Sequence, residues 1–265
     1  MLRSLKELEQ YTVSATDGDI GSVVNFLLDD THWIVRYLIV KTSALQDGRQ
    51  VLITPISFRQ VDWSKKQFHL ALTQDKVKNS PSIDVDKPVS RQHEFDYYAY
   101  YEYPYYWGSS GFWGASAYPG LLADGSWKHL TDRYAPKSGD IHLRSAAELR
   151  SYSIQGSDEP IGHVEDFIVD DLTWEIRYLV VDTSNWWFGK KVLIAPHWAN
   201  RVNWQERLVH VGMSRQAIRN SPEWKDSEAV NREYEVSLHA HYGRKAYWDD
   251  GARRVWLPPL QQYPE

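Results

Sequence analysis

The chain has 265 residues, of which 42% are apolar and 25% charged, and a formal net charge of −5; this suits two soluble globular domains of ordinary size, each with its own core. The acidic balance gives no general attraction to phosphate backbones or anionic membrane surfaces, which disfavours nucleic acid as a partner. The absence of cysteine excludes disulfides, thiolate metal sites, iron–sulfur clusters and cysteine nucleophiles.

The opening residues MLRSLKELEQ lack the apolar run of a secretory signal, and no uninterrupted apolar stretch approaches the roughly 20 residues that span a bilayer. The expected location is therefore the cytoplasm. Ser4 and Glu7 form a capping-box pattern that opens a short helix, since strand-forming residues begin at Tyr11. Tyr11 to Ala15 and Ile20 to Leu28 read as a hairpin around Asp17-Gly18. Gly21 marks a bulge or a close backbone approach in its second strand. Trp33 to Lys41 reads as the central strand. Its Trp33, Val35, Tyr37 and Ile39 share an apolar face, and Ile34, Arg36, Leu38 and Val40 a mixed one. QVLIT is a fourth strand, ending at Pro55; Val61 to Trp63 and Gln67 to Leu72 are the fifth and sixth. Thr73 to Asn79 forms a short helix that Ser-Pro ends, and a second helix starts near Ser90.

The series then recurs. Leu143-Arg144-Ser145 falls on Leu2-Arg3-Ser4 at an offset of 141, which holds without a gap to Tyr101 and Tyr242. DDTHWIVRYLIVKTS (Asp29 to Ser43) is matched by DDLTWEIRYLVVDTS (Asp170 to Ser184). The second copy of the last helix carries Tyr234, Leu238 and Tyr242 on one face. An internal duplication follows. Residues 1–101 form a first unit, 102–141 an aromatic, Gly/Pro-rich linker, 142–250 a second unit and 251–265 a tail. The fold class is mainly β: two small barrels, each followed by short α-helices. The equivalent mixed faces carrying Arg36 and Arg177 are expected to pair the barrels about a pseudo-twofold axis, each second helix crossing towards its neighbour.

The duplicated DD-x-x-W-x-x-R-Y-L-x-V-x-T-S stretch, the V-L-I-x-P and V-x-W strands, the N-S-P turn and V-x-R-x-x-E (Val89, Arg91, Glu94; Val230, Arg232, Glu235) resemble the PRC-barrel family, and in particular bacterial members that carry the barrel twice. The resemblance implies PRC-type β-barrels used as a non-catalytic adaptor, docking a protein partner or a membrane-associated complex. It brings no shared catalytic residues. Relatives include the cytoplasmic domain of the photosynthetic reaction-centre H subunit and the C-terminal domain of a ribosome-maturation factor. These imply two alternatives, an electron-transport accessory protein and an RNA- or ribosome-associated maturation or stress factor. The chain shows neither the membrane anchor of the first nor the additional domain of the second.

No catalytic, cofactor-binding or metal-ligating set is expected. Asp29-Asp30 and Asp170-Asp171 fall short of the ligand count of a calcium loop; turn formation and a contact with Arg36 or Arg177 explain them better. His93-Glu94 starts a zinc-protease pattern, but Tyr97 stands where the second histidine must be. His239 and His241, two apart, point to different sides of a helix. His69 and His210 hold the same place in both copies, as packing positions do, and a hydrolase built on either needs an enclosed polar pocket beside it. The candidate interaction surface is the aromatic run Tyr97, Tyr98, Tyr100, Tyr101, Tyr105, Tyr106 and Trp107. Tyr and Trp dominate interface hot spots, although such a run equally serves to cover the apolar outer faces of the barrels.

Overall fold

The computed structural model describes residues 1–43, 49–81, 89, 91–107, 112–114, 116–122, 143–183 and 190–249. The first unit contains β1 (Leu2–Ser4), α1 (Leu5–Leu8), β2 (Thr12–Ala15), β3 (Gly18–Asp29), β4 (Ile34–Thr42), β5 (Gln50–Ile53), β6 (Phe58–Asp62), β7 (Gln67–Leu70), α2 (Gln74–Lys78) and α3 (Arg91–Tyr101). The second repeats it as β8 (Leu143–Ser145), α4 (Ala146–Leu149), β9 (Ser153–Gln155), β10 (Pro160–Asp170), β11 (Ile176–Asp182), β12 (Lys191–Ile194), β13 (Ala199–Asn203), β14 (Leu208–Val211), α5 (Arg215–Arg219) and α6 (Arg232–Tyr242). Among the described residues no helix is long and apolar enough to cross a membrane. The tail, 251–265, lies outside the described residues.

The local signals act as their chemistry dictates. Ser4 and Ser145 cap α1 and α4, accepting from the amides of Glu7 and Glu148. Thr73 and Ser214 cap α2 and α5 in the same way. A Cβ on Gly21 or Gly162 would lie 1.9 Å from the carbonyl oxygen of Lys41 or Asp182, so only glycine permits this approach of the hairpin strands.

Each unit forms a seven-stranded, mostly antiparallel sheet, in the order β5-β4-β3-β2-β7-β6 and β12-β11-β10-β9-β14-β13, with one further strand on β3 or β10. These strand paths are open; among the described residues hydrogen bonds do not close either sheet into a barrel. The seventh strand comes from the other unit. β1 pairs antiparallel with β10 (Leu2 opposite Asp170, Ser4 opposite Ile168), and β8 pairs with β3 in the corresponding register (Leu143 opposite Asp29, Ser145 opposite Leu27). The spatial units therefore differ from residues 1–101 and 142–250 by one exchanged strand each.

Side chains fix the exchange. Arg3 binds Asp171 at 2.9 Å and stacks on Trp63; Arg144 binds Asp30 at 2.9 Å and stacks on Trp204. Asn25 binds the Ser145 hydroxyl at 2.8 Å and accepts from the Ala147 amide, while Asp166 accepts from the Ser4 hydroxyl and the Lys6 amide. The second acid of each Asp-Asp pair thus belongs to the strand exchange.

Trp33 and Trp174 depart from the expected strand. They adopt left-handed backbone angles (φ 57° and 60°), close the turn after β3 and β10, and stand outside the alternation of the strand that follows. This conformation presents their carbonyls across the pseudo-twofold axis: Trp174 accepts from Val35 N at 2.8 Å and Trp33 from Ile176 N at 2.7 Å. Ile34 and Glu175, each the other's equivalent at offset 141, form the bridge between them. Trp174 then packs on Phe58 and Phe68 of the first unit, and the buried apolar residues make one contiguous cluster through both units rather than two separate cores. The expected mixed face of the central strand is also corrected, because Arg36, Leu38 and Val40 are as buried as Val35, Tyr37 and Ile39.

A second self-equivalent pair lies between the units: Glu9 and Arg150, ion-paired at 2.6 Å. Substituting Arg150→Glu or Glu9→Arg alone places like charges together and is expected to cost about 1 kcal/mol in denaturant unfolding, and the double exchange to recover most of it.

Candidate interaction site

The site begins at the turn after β3. Asp29 is buried and uses one carboxylate oxygen to accept from the amides of Thr31 (2.8 Å) and His32 (3.0 Å), and the other from Arg36 Nη2 at 2.9 Å. Burial pushes the Asp29 carboxyl up, but Arg36 and the two amides outweigh it and bring it down to about 2. Asp170 repeats the arrangement with Leu172, Thr173 and Arg177. The first acid of each pair is thus a turn and ion-pair residue.

Arg36 then meets the linker. Its guanidinium lies 3.8 Å from the centre of the Tyr106 ring and 5.0 Å from that of Trp113, and donates to the Phe112 carbonyl. Arg177 pairs with Glu175 at 2.7 Å and lies 4.0 Å from the Tyr247 ring centre. The guanidiniums expected to pair the barrels thus turn to acids and aromatic rings. β4 and β11 meet through the backbone one turn away. The second helices stay on their own units, which corrects the expected crossing: Tyr97 on α3 donates to Leu52 O at 3.0 Å, and Glu235 on α6 accepts from Tyr178 at 2.8 Å.

A buried carboxylate sits at the centre of each cluster. Glu94 Oε1 accepts from the hydroxyls of Tyr37 (2.9 Å) and Tyr106 (2.7 Å), and Glu235 Oε1 from those of Tyr178 (2.8 Å) and Tyr247 (2.9 Å). Burial, reinforced by the neighbouring carboxylate, pushes the Tyr37 and Tyr178 hydroxyls up, so they remain hydrogen donors. Tyr106-Trp107 and Tyr247-Trp248 obey the 141-residue offset, so the repeat runs past Tyr101 and Tyr242, and in the first copy into what reads as linker. That offset, with Glu94 and Glu235 equivalent, is the signal in the sequence that would have found both clusters.

The seven aromatic candidates divide. Tyr97, Tyr98, Tyr101 and Tyr106 are buried and take the packing alternative, so they are not available as a contact surface. The chain turns back after α3 and packs Tyr103 to Trp107 over the helix, covering it from outside while the sheet covers it from inside. Tyr100, Tyr105 and Trp107 are half-buried. Tyr100 donates to Lys76 O at 2.9 Å. Tyr105 stacks on Phe95 (5.1 Å) and meets Trp107 at a tilt (4.8 Å), making a ladder of three half-buried rings on the buried tyrosines.

The histidines go separate ways. His239 contacts Tyr178 Oη and Lys245 O, whereas His241 contacts Ala217 O. His69 and His210 lie half-buried on β7 and β14, opposite Gln60 and Arg201. A cleft of about 270 Å³ is lined by residues including Asp17, Thr42, Asp75 and Lys78, and by neither of these histidines.

Residues 142–211 match the model of the PRC-barrel domain. No curated protein matches the chain.

Two substitutions test the cluster. Tyr106→Phe removes one of the two phenols bound to Glu94 and is expected to cost about 1–2 kcal/mol in denaturant unfolding at neutral pH. Asp29→Asn is expected to cost about 2 kcal/mol at pH 7. The folded carboxyl lies below its unfolded value of 3.8, so its contribution is complete above that value. The difference between wild type and Asp29→Asn should therefore shrink as the pH falls towards about 2, read from stability curves at successive pH values.

Proposed function

Taking as premise that residues 142–211 are a PRC-barrel domain, we propose that the chain is a non-catalytic adaptor built from two tandem units of this type, acting in a bacterial cytoplasm and docking a protein partner or a membrane-associated complex. The internal repeat extends the family pattern to the first unit, through the duplicated turn, strands and strand exchange. The absence of cysteine suits a reducing compartment. The charged groups that drew attention as possible chemistry, Asp29, Arg36 and Glu94, are used in holding β4, α3 and the linker together.

The observation that carries this reading is the Phe95, Tyr105 and Trp107 ladder. Its rings are half-buried and backed by Tyr98, which is fully buried and 6.2 Å and 5.5 Å from the Tyr105 and Trp107 rings. Rigid aromatic rings on a fixed backing lose little side-chain entropy on binding and provide large contact area, the properties of an interface anchor.

The test is capture from native lysate by the whole chain, followed by mass spectrometry and a binding measurement with each purified candidate. Tyr105→Ser with Trp107→Ser is expected to weaken a specific partner at least tenfold, and Arg215→Ala, on α5, to leave it unchanged. Equal binding by the double variant would remove the ladder from the interface, and turnover of a substrate by the pure protein would overturn the non-catalytic assignment.

A further inference from the structure

The two carboxylate clusters differ in their supply of hydrogen. In the second unit, Tyr178 Oη lies 2.8 Å from Glu235 Oε1 and 3.1 Å from His239 Nε2. The other ring nitrogen of His239, Nδ1, lies 3.1 Å from the carbonyl oxygen of Lys245. A carbonyl oxygen can only accept, so Nδ1 carries the hydrogen, and Nε2 of the neutral ring presents a lone pair. An ionised Glu235 also only accepts, and it is paired with Arg232 at 3.1 Å. Tyr178 owns one hydrogen, and two acceptors face it. In the first unit the place of His239 is taken by Tyr98, whose hydroxyl brings its own hydrogen.

We infer that His239, Tyr178 and Glu235 form a proton-binding site, present in the second unit alone, which takes up one proton at His239 Nε2. With that proton in place every contact has a donor and an acceptor: Nε2–H donates to Tyr178 Oη, and Tyr178 O–H donates to Glu235 Oε1. The chain then runs from a cation through a phenol to an anion, and joins α6 to β11.

The surroundings set when the proton enters. Burial lowers the affinity of the imidazole for it, while the Lys245 and Arg244 backbone and the negative charges of Glu235 and Asp249 act the other way. Arg177 on β11 and Arg232 on α6 bring positive charge to the same cluster, both over the Tyr247 ring. Trp198 packs edge-on to His239 at 5.0 Å, with His197 beside it, and Trp248 packs at 5.1 Å from the other side. The net direction is down from 6.5. Protons therefore favour the unfolded chain as the pH drops below 6.5, and protonation of the folded chain follows at lower pH.

The experiment is histidine-selective ¹⁵N NMR of the full chain between pH 8 and 4.5. The expected result is a His239 resonance of the Nδ1–H tautomer at pH 8, with a midpoint below 6.5. Glu235→Gln removes the negative charge that favours the protonated ring, and Tyr178→Phe removes the oxygen that receives Nε2–H. Each should lower the midpoint by about one pH unit, a tenfold loss in proton affinity. His239→Tyr, which copies the first unit, should remove the loss of melting temperature that wild type shows below pH 6.5. An Nε2–H tautomer at pH 8, an unmoved midpoint in whichever of the two cluster variants folds, or the same acid-dependent melting in His239→Tyr would each overturn the assignment.

Discussion

Three residues at the start of each repeat, Leu-Arg-Ser, are hydrogen-bonded to the opposite unit, and much of the architecture follows from that exchange. A three-residue strand has too few backbone bonds to hold a domain by itself. Here it is reinforced by a guanidinium that spans an aspartate of one unit and a tryptophan of the other, and by a serine whose hydroxyl both caps the next helix and bonds across the boundary. The tryptophans at the hairpin turns complete the connection by accepting main-chain hydrogen bonds across the axis. Left-handed angles are unfavourable for a bulky residue, and such strain persists where surrounding contacts over-determine it. The two units are consequently one packed object.

On that frame, each buried glutamate does for the second helix what the exchanged strand does for the sheet. Glu94 and Glu235 collect one phenol from the central strand and another from the segment after the helix. An arginine from the strand covers the second ring. Tyr103 to Trp107 are thereby fixed over α3, and Trp113, later in the chain, donates to Thr173 O of the second unit at 2.9 Å. The half-buried aromatic ladder rests on this fixed segment, which connects the packing of the core to the proposed docking role.

The short elements were legible in the sequence because each has a local cause. The capping serines, the Asp17-Gly18 turn and the Ser-Pro helix stops all act within a few residues, and Gly21 answers to the next strand of its own hairpin. The duplication was legible because it repeats motifs in order. The strand exchange was not: Leu-Arg-Ser pairs equally well with a neighbour in its own unit or in the other, and no local signal decides between them. Alternation failed at Trp33 because a left-handed residue breaks the period of two. Whether the aromatic run was core or surface was not legible, because composition cannot say how often a chain folds back on itself. Tyr98 is covered by barrel, helix and linker together.

The Glu9 and Arg150 contact has a bearing on how the duplication is used. About an axis relating two identical subunits, a residue lying on that axis meets its own copy, and an isologous interface would set acid against acid or base against base. In one polypeptide these two positions can differ, so that an acid stands opposite a base where identical subunits would place like against like. The same freedom placed Ile34 against Glu175, and histidine in one half where tyrosine stands in the other. Covalent linkage thus lets equivalent positions carry different residues while a common scaffold is kept.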